Sequence, residues 1–459
     1  MKLTRLSEVA RLAGGTLIKG DPNLEITEVC TDTRNLPEGS LFVALVGEKF
    51  DAHDFLCAAA GKASACLVSR VPSDLDAFPA AVIEVGDTLT GLQQLASGYR
   101  EALDFPVVCV TGSNGKTSTK DFLAAVLGRR FSVNATRGNF NNHIGLPLSI
   151  LRTGSEHDCA VWELGMSNPG EIASLAAMAR PTVGVITNVG TAHIEFMKSR
   201  EAIAHEKGML AEAVRAEGLV VLNASDDYTP LITERTKARV LTAGIGEGDC
   251  QAQNVDCGAE GSSFEVNSFG SSFTVSLPVP GRHMVSNAIL AIAVGLELGA
   301  GAESIVAGLA SASITGGRLQ FRTVQGVRFI DDSYNANPDS MRAALATLAN
   351  APCKGRRIAV LGRMAELGEH ARSEHESIGA VAHTEFGVDV LLTVGSEAAF
   401  LVDGFRGAGG SESASDNFES HEQCAQRLFE IASPDDLVLV KGSRSSAMEQ
   451  VMKSEEAPV

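Results

Sequence analysis

A short apolar run leads into a glycine turn and then into a helical pattern at residues 107–119. The β-branched run Val107–Val110 predicts a buried strand, Gly112 and Gly115 follow it, and Lys116 opens the helical pattern. Backbone N–H groups and the positive end of a helix dipole bind anions at such a turn, and glycine lets the backbone approach closely. The segment therefore predicts a phosphate-binding loop within an α/β fold.

The spacing of this loop differs from that of the common nucleotide-binding loop. Two residues, rather than four, separate Gly112 from Gly115, and Lys116 and Thr117 follow. In such loops the lysine reaches the terminal phosphates and the hydroxyl binds Mg²⁺. The alternative is an ordinary strand-to-helix turn with a surface lysine, which does not explain why a threonine follows that lysine. The pattern favours a nucleotide site.

Length and composition exclude several classes of protein. A chain of 459 residues is too long for one ordinary core and indicates about three domains. It contains no run of about 18 apolar residues, so a membrane span is not expected, and residues 1–15 lack the apolar core of a signal peptide. Nine dispersed cysteines without a CxxC pair are typical of reduced thiols in a cytoplasm. The net charge of −18 argues against a nucleic-acid partner and requires local cations around any phosphate-rich ligand.

The pattern of apolar runs divides the chain into three units. Residues 1–104 form a small α/β unit, and residues 105–315 alternate strands with helices. This alternation indicates a mainly parallel sheet covered on both faces, and the Gly/Ser-rich texture after Gly248 predicts a β-ribbon. Residues 316–459 form a third α/β unit, in which the acidic segment 410–420 is expected to be an exposed loop.

The expected strands are short, apolar and bounded by turn residues. They are 65–69 in the first unit, 106–111, 158–163, 183–187, 219–222 and 239–242 in the second, and 327–331, 357–361, 388–394 and 437–440 in the third. Helices are expected over Arg200–Val214 and Met284–Leu298, and the tail after Lys453 is expected to fray.

Polar side chains follow two of the expected central strands. Glu163 ends one strand, and His193 lies in the loop after another. Open α/β sheets bind ligands at the carboxyl ends of their strands, where a carboxylate and an imidazole suit a divalent metal bridging nucleotide oxygens. A histidine by itself is more often structural, but the position of His193 on the same sheet edge as Lys116 favours a site.

The segment Gly138–Gly145 has a composition that no core strand or helix needs. Between its two terminal glycines it carries Asn139, Asn141, Asn142 and His143. Asparagine supplies both donors and acceptors, so the segment suits a polar ligand, with a plain turn as the alternative.

The third unit carries two further candidate ligand segments. Asp331–Pro338 ends a strand with two acids, two asparagines and a tyrosine, and Lys441–Arg444 follows the last strand as a candidate anion site. Arg318 follows two glycines at the junction of the second and third units, where it could swing onto a phosphate. The alternative for Arg318 and Arg444 is a solvated surface charge.

Other polar residues fit either a ligand site or a structural role. Thr33, Arg34 and His53 lie at the ends of apolar runs, where ligand loops occur but where capped turns are more common. Lys207 lies in the helical stretch 200–214, and spacing alone predicts a solvated surface lysine.

Taken together, these motifs resemble the ATP-dependent Mur ligases of bacterial peptidoglycan synthesis. The matching segments are Thr111–Thr117, Gly138–Gly145, Glu163 with Gly170–Ile172, Thr187–His193, Lys207, Arg318, Asp332 and Lys441–Arg444. Asp331–Met341, together with Met364–Gly368, is similar to the branch of this family that adds D-alanyl-D-alanine. The last unit lacks the Asp-Asn-Pro-Arg motif that often marks the branch adding the third amino acid.

The resemblance implies three domains: a small α/β first domain that binds UDP, a central parallel-sheet P-loop ATPase domain, and a Rossmann-like last domain that closes on the site. It implies ATP and Mg²⁺ as cofactors, and UDP-N-acetylmuramoyl-tripeptide and D-alanyl-D-alanine as substrates joined through an acyl phosphate. We expect a cytoplasmic monomer with no nucleic-acid partner.

The resemblance also implies roles for individual residues. The phosphate loop comprises Gly112, Asn114, Gly115, Lys116, Thr117 and Ser118. Asn287 would hold the adenine, Asp332 the ribose and Arg318 the phosphates. The residues expected to serve Mg²⁺ are Thr117, Glu163, His193 and Lys207, of which His193 and Lys207 count as catalytic together with Lys116. The residues expected at the substrates are Thr33, Arg34, Asn139, Asn141, Asn142, His143, Asn335, Asn337, Lys441 and Arg444.

Lys207 matches the lysine that is carbamylated in this family to hold a second Mg²⁺. Carbamylation turns a cation into an oxygen ligand and requires a neutral, desolvated amine. The chain departs from the family pattern at Met284, where asparagine is usual, at Arg363, often aspartate, and at Thr33, often serine. The first departure affects part of the adenine contact, and none removes a phosphate or metal group.

Three rival functions share parts of this pattern. A sibling Mur ligase that adds a single amino acid and a folylpolyglutamate-synthetase-like enzyme would share the ATP site, but the first unit argues against the folate enzyme. A nucleotide-dependent switch would not need the asparagine-rich segment or the loop after Asp331. Phosphate release that depends on an added amine acceptor distinguishes a ligase from a switch.

Overall fold

The computed structural model describes residues 4–258, 261–268 and 270–453, so the predicted frayed tail after Lys453 lies outside the described residues. The first unit consists of β1 (Thr4–Arg5), α1 (Leu6–Leu12), β2 (Thr16–Lys19), β3 (Glu25–Ile26), β4 (Val29–Cys30), β5 (Leu41–Val43), α2 (Leu56–Ala60), β6 (Ala65–Val68), β7 (Ala81–Glu84) and α3 (Thr88–Glu101). Five strands form a sheet in the order β2-β7-β6-β5-β4, and β1 pairs with β3. β5 and β6 are buried throughout, which explains their unbroken apolar sequences.

The central unit is built on a nine-stranded sheet in the order β16-β15-β14-β13-β12-β11-β8-β10-β9. Its elements are β8 (Val107–Thr111), α4 (Lys116–Leu127), β9 (Val133–Ala135), α5 (Gly145–Leu151), β10 (Cys159–Glu163), α6 (Glu171–Ala179), β11 (Val183–Ile186), α7 (Ile194–Met197), α8 (Arg200–Ala213), β12 (Leu219–Asn223), α9 (Thr229–Thr233), β13 (Arg239–Ile245), β14 (Cys250–Cys257), β15 (Ser262–Ser268), β16 (Ser271–Leu277), α10 (Arg282–Glu297) and α11 (Ala302–Ala310).

The strands from β9 to β14 pair in parallel, which confirms the predicted parallel sheet. The predicted ribbon is present as β15 and β16, but it extends the central sheet because β15 pairs antiparallel with β14. β9 and β14 were not predicted from the sequence.

The helix that carries the phosphate loop is fixed from behind by α10. α10 is apolar on most of its surface and buried along most of its length, as expected for a helix inside a large core. A Cβ on Gly295 would lie 2.4 Å from Val126 Cγ1, so glycine allows α10 to pack directly on α4. Phe122 and Val126 of α4 are fully buried in the same core. This packing holds the N-terminus of α4 in place.

The third unit has a six-stranded sheet in the order β17-β18-β22-β19-β20-β21. Its elements are β17 (Gln320–Val324), β18 (Val327–Asp332), α12 (Pro338–Asn350), β19 (Arg357–Gly362), α13 (Ala371–Thr384), β20 (Val390–Val394), α14 (Ala399–Gly407), β21 (Ser415–Phe418), α15 (His421–Ile431) and β22 (Leu437–Lys441). β17 is antiparallel to β18, and the other pairs are parallel.

The prediction of an exposed loop over 410–420 was wrong at Ser415–Phe418, although residues 411–413 are exposed. Ser415–Phe418 forms β21, which pairs in parallel with β20 at the edge of the sheet, and Ser415 is buried. An edge strand needs few apolar residues because it pairs on one side only, so polar composition concealed it. Within the described residues, none of the helices has the length and apolar character needed to span a membrane.

Candidate active site

The predicted strand, glycine turn and helix are present, and both glycines are required by close neighbours. Gly112 has φ +152°, and a Cβ there would lie 1.8 Å from Thr187 Oγ1. Gly115 is left-handed, with φ +78°, and a Cβ there would lie 2.2 Å from Asn287 Oδ1. The loop is therefore enclosed between the end of β11 and helix α10, and no larger residue fits at either position.

Lys116 curls back over the loop that it follows. Its Nζ donates hydrogen bonds to the carbonyl oxygens of Gly112, at 2.7 Å, and Ser113, at 3.2 Å. Burial lowers the pKa of Lys116, the carboxylates of Glu163 and Glu366 act in the opposite sense, and Arg318 lowers it further. Two cations thus share one small region, and an incoming anion would relieve their repulsion.

Thr117 and Glu163 form the centre of a hydrogen-bond network beside the loop. Thr117 Oγ1 donates to Glu163 Oε2 at 2.8 Å, and Asn141 Nδ2 donates to Glu163 Oε1 at 2.7 Å. Arg318 donates from Nη2 to Thr117 Oγ1 at 2.9 Å, so a third-unit side chain reaches this network. Glu163 is only 2% exposed, and its two oxygens are held in fixed positions. Ser118, on the same turn of α4, is buried as well.

The donors around Glu163 fit a hard divalent cation that also binds a ligand. Among residues 4–258, 261–268 and 270–453, no group of three or more His, Cys, Asp and Glu side chains converges on one point. Mg²⁺ commonly uses one or two carboxylates, waters and substrate phosphates instead of an all-protein cage. The Thr117 hydroxyl and the Glu163 carboxylate, side by side at a phosphate loop, match that requirement.

The loop after β11 is bound to the phosphate loop by an asparagine pair. Asn188 Oδ1 accepts from the Asn114 N–H at 2.9 Å, and Asn188 Nδ2 donates to the Asn114 carbonyl at 3.2 Å. Gly190 N–H donates to Ser113 Oγ at 2.9 Å. Asn188 was not singled out from the sequence, although the segment that contains it was. An asparagine at a strand end beside a glycine loop could have been the signal.

His193 lies across from a third-unit carboxylate that sequence reasoning did not assign to the site. His193 Nδ1 is 2.5 Å from Glu366 Oε2, and Glu195 N–H donates to the Glu366 carbonyl at 3.1 Å. The close approach of His193 lowers the pKa of Glu366 despite the partial burial of this carboxylate. Nothing local in the sequence pairs His193 with Glu366, because the two residues come from different sheets.

Lys207 is buried inside the protein, contrary to the surface lysine that spacing alone predicts. It is 1% exposed on α8, and its amine has no hydrogen-bond partner among the described residues. Burial lowers its pKa well below the ordinary value, Lys116 lowers it further, and Glu206 partly offsets the shift. The Glu206 carboxylate instead accepts from the N–H groups of Gly170 and Ile172, both at 2.8 Å. Burial therefore favours the neutral form of the Lys207 amine.

Asp332 and Lys441 bind each other at the end of the third-unit sheet. Lys441 Nζ is 2.5 Å from Asp332 Oδ2 and donates to the Asn335 carbonyl at 2.8 Å. Asp332 Oδ1 also accepts from Leu319 N–H at 3.2 Å. Lys441 is buried, so here it orders the loop after β18, whereas Asn335 has an exposed side chain.

Two residues at the start of α12 touch the central unit. Asn337 caps this helix through a capping box, and its Nδ2 donates to Asn114 Oδ1 at 2.8 Å. Asp339 Oδ2 accepts from Thr191 N–H at 2.9 Å and would lie only 2.2 Å from a Cβ on Gly190. The third unit thus contacts both loops of the phosphate site.

Arg318 and Arg444 lie in different surroundings. Arg318 lies over the ring of Tyr334, 4.1 Å from its centroid, and its Nε is buried without a partner. Arg444 is exposed and pairs with Glu449 at 2.8 Å. Only Arg318 joins the phosphate loop in this structure.

Asn287 lies on α10 against the phosphate loop. It is 6% exposed, next to Gly115, and its Nδ2 is 3.9 Å from the sulfur of Met284. Met284 is buried and apolar at the position where the family usually has asparagine. Arg363, the other departure in this part of the chain, pairs with Glu397 at 3.1 Å.

The asparagine-rich segment serves both the site and the structure. Asn141 reaches Glu163, whereas Asn142 Oδ1 accepts from the Ile144 and Gly145 N–H groups at the start of α5. The carbonyl of His143 accepts from Gln93 of the first unit at 3.0 Å, and the side chains of Asn139 and His143 are exposed.

The first-unit candidates lie in turns at the edge of their sheet. Thr33 and Arg34 belong to a short 3₁₀ turn after β4. Arg34 donates hydrogen bonds to Asp32, which lowers the pKa of the Asp32 carboxyl to about 2. His53 is buried, 2.6 Å from Asp51, and accepts from Ser69 N–H. His53 is therefore structural here, and Arg34 is exposed.

Comparison with known proteins identifies the family. Residues 110–295 match the Mur ligase middle domain, and residues 317–444 match the Mur ligase, glutamate ligase domain. A UDP-N-acetylmuramoyl-tripeptide–D-alanyl-D-alanine ligase of Bacillus subtilis is 38% identical over 455 residues, which cover 98% of this chain and 97% of that protein. The chain belongs to the Mur ligase family.

Solved structures of Mur ligases share the whole fold. MurF from Acinetobacter baumannii superposes with a TM-score of 0.90 at 32% identity and covers 98% of both chains. MurF from Thermotoga maritima, in complex with ADP, gives 0.80 at 30% identity over 92% of this chain and 96% of the other. This Mur ligase therefore has the predicted three-domain α/β fold and is an ATP-dependent ligase, as predicted.

Proposed function

We propose that this Mur ligase joins D-alanyl-D-alanine to UDP-N-acetylmuramoyl-tripeptide, with ATP converted to ADP and phosphate. The similarity to UDP-N-acetylmuramoyl-tripeptide–D-alanyl-D-alanine ligases extends over almost the entire chain, including the first unit. The observation that carries the proposal is the convergence of Lys116, Glu163 and Arg318, from two units, on one phosphate loop. Such an arrangement can hold a triphosphate while a second substrate approaches from the first unit.

The three units would divide this work between them. Residues 1–104 would bind the UDP-sugar, residues 105–315 the ATP, and residues 316–459 would close on both as a Rossmann-like domain. Gln93 already contacts the asparagine-rich segment from the first unit, and Arg318 contacts the phosphate loop from the third. Closure at such an interface would exclude water from a reactive acyl phosphate.

The reaction would proceed through two transfers. The terminal carboxylate of the tripeptide attacks the γ-phosphorus of ATP, ADP leaves, and an acyl phosphate remains. The free amine of D-alanyl-D-alanine then attacks the acyl carbon, loses a proton, and phosphate leaves as the amide forms. Lys116 would give up its hydrogen bonds to the Gly112 and Ser113 carbonyls and donate to phosphate oxygens instead. Arg318 would likewise replace its hydrogen bond to Thr117 with one to a phosphate oxygen.

The nucleotide would lie between the central and third units. Asn287 would contact the adenine, Asp332 the ribose, and the residues Gly112, Asn114, Gly115, Lys116, Thr117 and Ser118 the phosphates. Gly115 packs against Asn287, which would bring the base close to the loop. Since Asp332 is bound to Lys441, a ribose hydroxyl would bind to an already oriented carboxylate.

Mg²⁺ would be held by Thr117, Glu163, His193 and a carbamylated Lys207. The ion would neutralise charge on the transferring phosphoryl group. Lys207 fits this role because its buried amine has no partner among the described residues and its pKa is depressed. The neutral amine can attack carbon dioxide, form an N–C bond and lose a proton, which leaves a carbamate whose oxygens suit a hard cation.

The remaining candidates would contact the two molecules that are joined, UDP-N-acetylmuramoyl-tripeptide and D-alanyl-D-alanine. Thr33 and Arg34 would lie near the uridine diphosphate. The exposed Asn335 and Arg444 would face the incoming dipeptide, with Asn337 and Lys441 ordering the loop around it. Asn139, Asn141, Asn142 and His143 would line the path between the first unit and Glu163. We further propose a monomer that works in the cytoplasm.

The test is phosphate release from ATP with UDP-N-acetylmuramoyl-tripeptide and one acceptor at a time: D-alanyl-D-alanine, D-alanyl-D-lactate or meso-diaminopimelate. Release only with D-alanyl-D-alanine is expected, because the chain resembles that branch. Release with diaminopimelate on the dipeptide substrate would identify a sibling ligase. Release without any acceptor would favour a nucleotide-dependent switch.

A further inference from the structure

The turn that carries Glu366 has a strained backbone. Glu366 has φ +62°, a left-handed conformation that residues with side chains rarely adopt. Residues in such conformations persist where the surrounding structure over-determines them, and they occur often at functional sites. The turn follows β19 and brings the Glu366 carboxylate to His193, so something in the third unit must hold it.

A buried histidine on α13 fixes this turn from behind. His375 Nε2 accepts from Met364 N–H at 2.9 Å, so the ring proton lies on Nδ1, which donates to the Ala371 carbonyl at 2.6 Å. His375 is 0% exposed, and burial lowers its pKa, which keeps the ring neutral and Nε2 able to accept. Both ring nitrogens are committed to the backbone, and a rotated ring would lose both hydrogen bonds.

Ser443 holds the next residue of the turn. Its Oγ accepts from Ala365 N–H at 2.7 Å, and its own N–H donates to the Arg363 carbonyl at 3.0 Å. Two successive N–H groups, those of Met364 and Ala365, are therefore fixed from two sides immediately before the strained residue. The strained backbone of Glu366 is therefore held in place by hydrogen bonds to the two residues that precede it.

We propose that His375 is a positioning residue that holds the Met364–Glu366 turn so that Glu366 reaches His193. It touches neither the phosphate loop nor the candidate substrate residues, and it acts only through the backbone of Met364. The inference rests on the proposed function for its catalytic consequence, but the hydrogen bond itself does not depend on that function.

Two substitutions separate this role from simple filling of the core. Asparagine places its amide near the position of Nδ1 and leaves Met364 N–H without an acceptor, whereas glutamine can offer an oxygen near the position of Nε2. For H375N we expect kcat to fall about tenfold, with KM for ATP within about twofold of the unmodified chain. H375Q should recover most of that loss. H383N is the matched control, because His383 lies on α13 but packs edge-on against Phe405.

A double-substitution cycle with E366Q tests whether His375 acts through Glu366. If it does, H375N should cost much less in the E366Q background than in the unmodified chain. An equal loss in both backgrounds, or full kcat in H375N, would overturn the proposal. The kinetics use whichever acceptor supports phosphate release in the unmodified chain, so the proposed function is judged separately.

Hydrogen exchange of the ligand-free protein provides a readout that needs no activity. The amides of Met364 and Ala365 should exchange faster in H375N than in H375Q or H383N, while the amides of β18 and β22 stay protected. Unchanged exchange at Met364 in H375N would contradict the proposed contact. Faster exchange throughout the third unit would show that His375 supports the whole core and not this turn.

Discussion

The two interfaces of the central unit are built from different kinds of contact. The first joint, between residues 4–104 and the central unit, includes a buried cation bound to backbone carbonyls. The third joint, between the central unit and residues 316–453, meets the phosphate loop through polar side chains. The same central sheet therefore has one neighbour held by its backbone and another held by groups that ligands can replace.

Arg100 shows how the first joint is built. It is 4% exposed and donates to the carbonyls of Ala179, Leu103 and Arg180 at 2.7 to 2.9 Å. Tyr99 donates from its hydroxyl to the Thr153 carbonyl, and one apolar cluster runs without a break through both units. No ligand of the active site can substitute for these contacts.

The third joint has an apolar part and a polar part. An apolar cluster extends from α10 into the third unit, but the contacts at the phosphate loop come from Arg318, Asn337, Asp339 and Glu366. Three of their partners, Thr117, Asn114 and His193, are residues that we propose bind nucleotide or metal. The difference suggests that the first and central units move together, whereas the third unit responds to ligand.

The largest expected effect comes from the phosphate loop, which the third joint contacts. K116A should lower kcat at least about 10³-fold, because it would remove the cation that we propose contacts the transferring phosphate. The free energy of unfolding should fall by no more than about 2 kcal/mol, the cost of two lost hydrogen bonds to loop carbonyls, so the variant should remain folded. K62A, at an exposed first-unit lysine, is the control. Turnover by a folded K116A protein would refute the role of this loop.

At the first joint, R100M should destabilise the protein by about 3 kcal/mol in chemical denaturation. The substitution leaves three carbonyls in a buried interface without their donor, and each carries a desolvation cost. R11M removes an exposed arginine of the same unit and should change stability by less than about 0.5 kcal/mol. Equal stability of R100M and the unmodified chain would show that the joint does not depend on this cation.

The third joint should respond in activity instead of stability. D339A removes the acceptor of Thr191 N–H, and we expect kcat/KM for ATP to fall about fivefold, which corresponds to about 1 kcal/mol. Its free energy of unfolding should fall by no more than about 1 kcal/mol, because Asp339 is exposed and accepts only from Thr191. D403N, at an exposed position on α14, is the control. A stability loss comparable to that of R100M would erase the distinction between the joints.

Thiol labelling offers a finer test. Burial raises the pKa of Cys66, in the first unit, and of Cys109, in the central unit, to about 12, whereas Cys57 is exposed. At pH 8, Cys57 should react in the native protein and the two buried thiols should not. As denaturant rises, Cys66 and Cys109 should become reactive together if the two units unfold as one. Separate midpoints would contradict a shared first joint.

Local sequence was sufficient for some elements of the site and not for others. The phosphate loop was predictable because its strand, glycines and lysine are adjacent in sequence. Glu163 and His193 were predictable from the rule that parallel strands end at one edge. Glu366 was not, since its partner His193 lies in another unit and no short-range pattern links them. The polar edge strand β21 was mistaken for a loop for a related reason. It is a strand because it pairs with β20, and its own polar composition does not reveal that pairing.

Histidines illustrate the same limit. His53 carried the features of a ligand residue at the end of an apolar run, yet its ring binds Asp51 and Ser69 N–H inside the first unit. His375 carried no such feature, and its contact with Met364 became visible only in the folded chain. A side chain reports its residue type in the sequence, but its hydrogen-bond partners are set by packing.

Helix α6 links the first joint to Lys207, one of the proposed metal ligands. At its C-terminal end, Arg100 donates hydrogen bonds to the carbonyls of Ala179 and Arg180. At its N-terminal end, Glu206 accepts from the N–H groups of Gly170 and Ile172. The nine residues of α6 make a strut about 13 Å long. Since Lys207 follows Glu206 directly on α8, α6 connects the first unit to Lys207 through hydrogen bonds at both of its ends. If the first unit binds a sugar nucleotide, as proposed, this connection would link binding there to the position of the Lys207 amine.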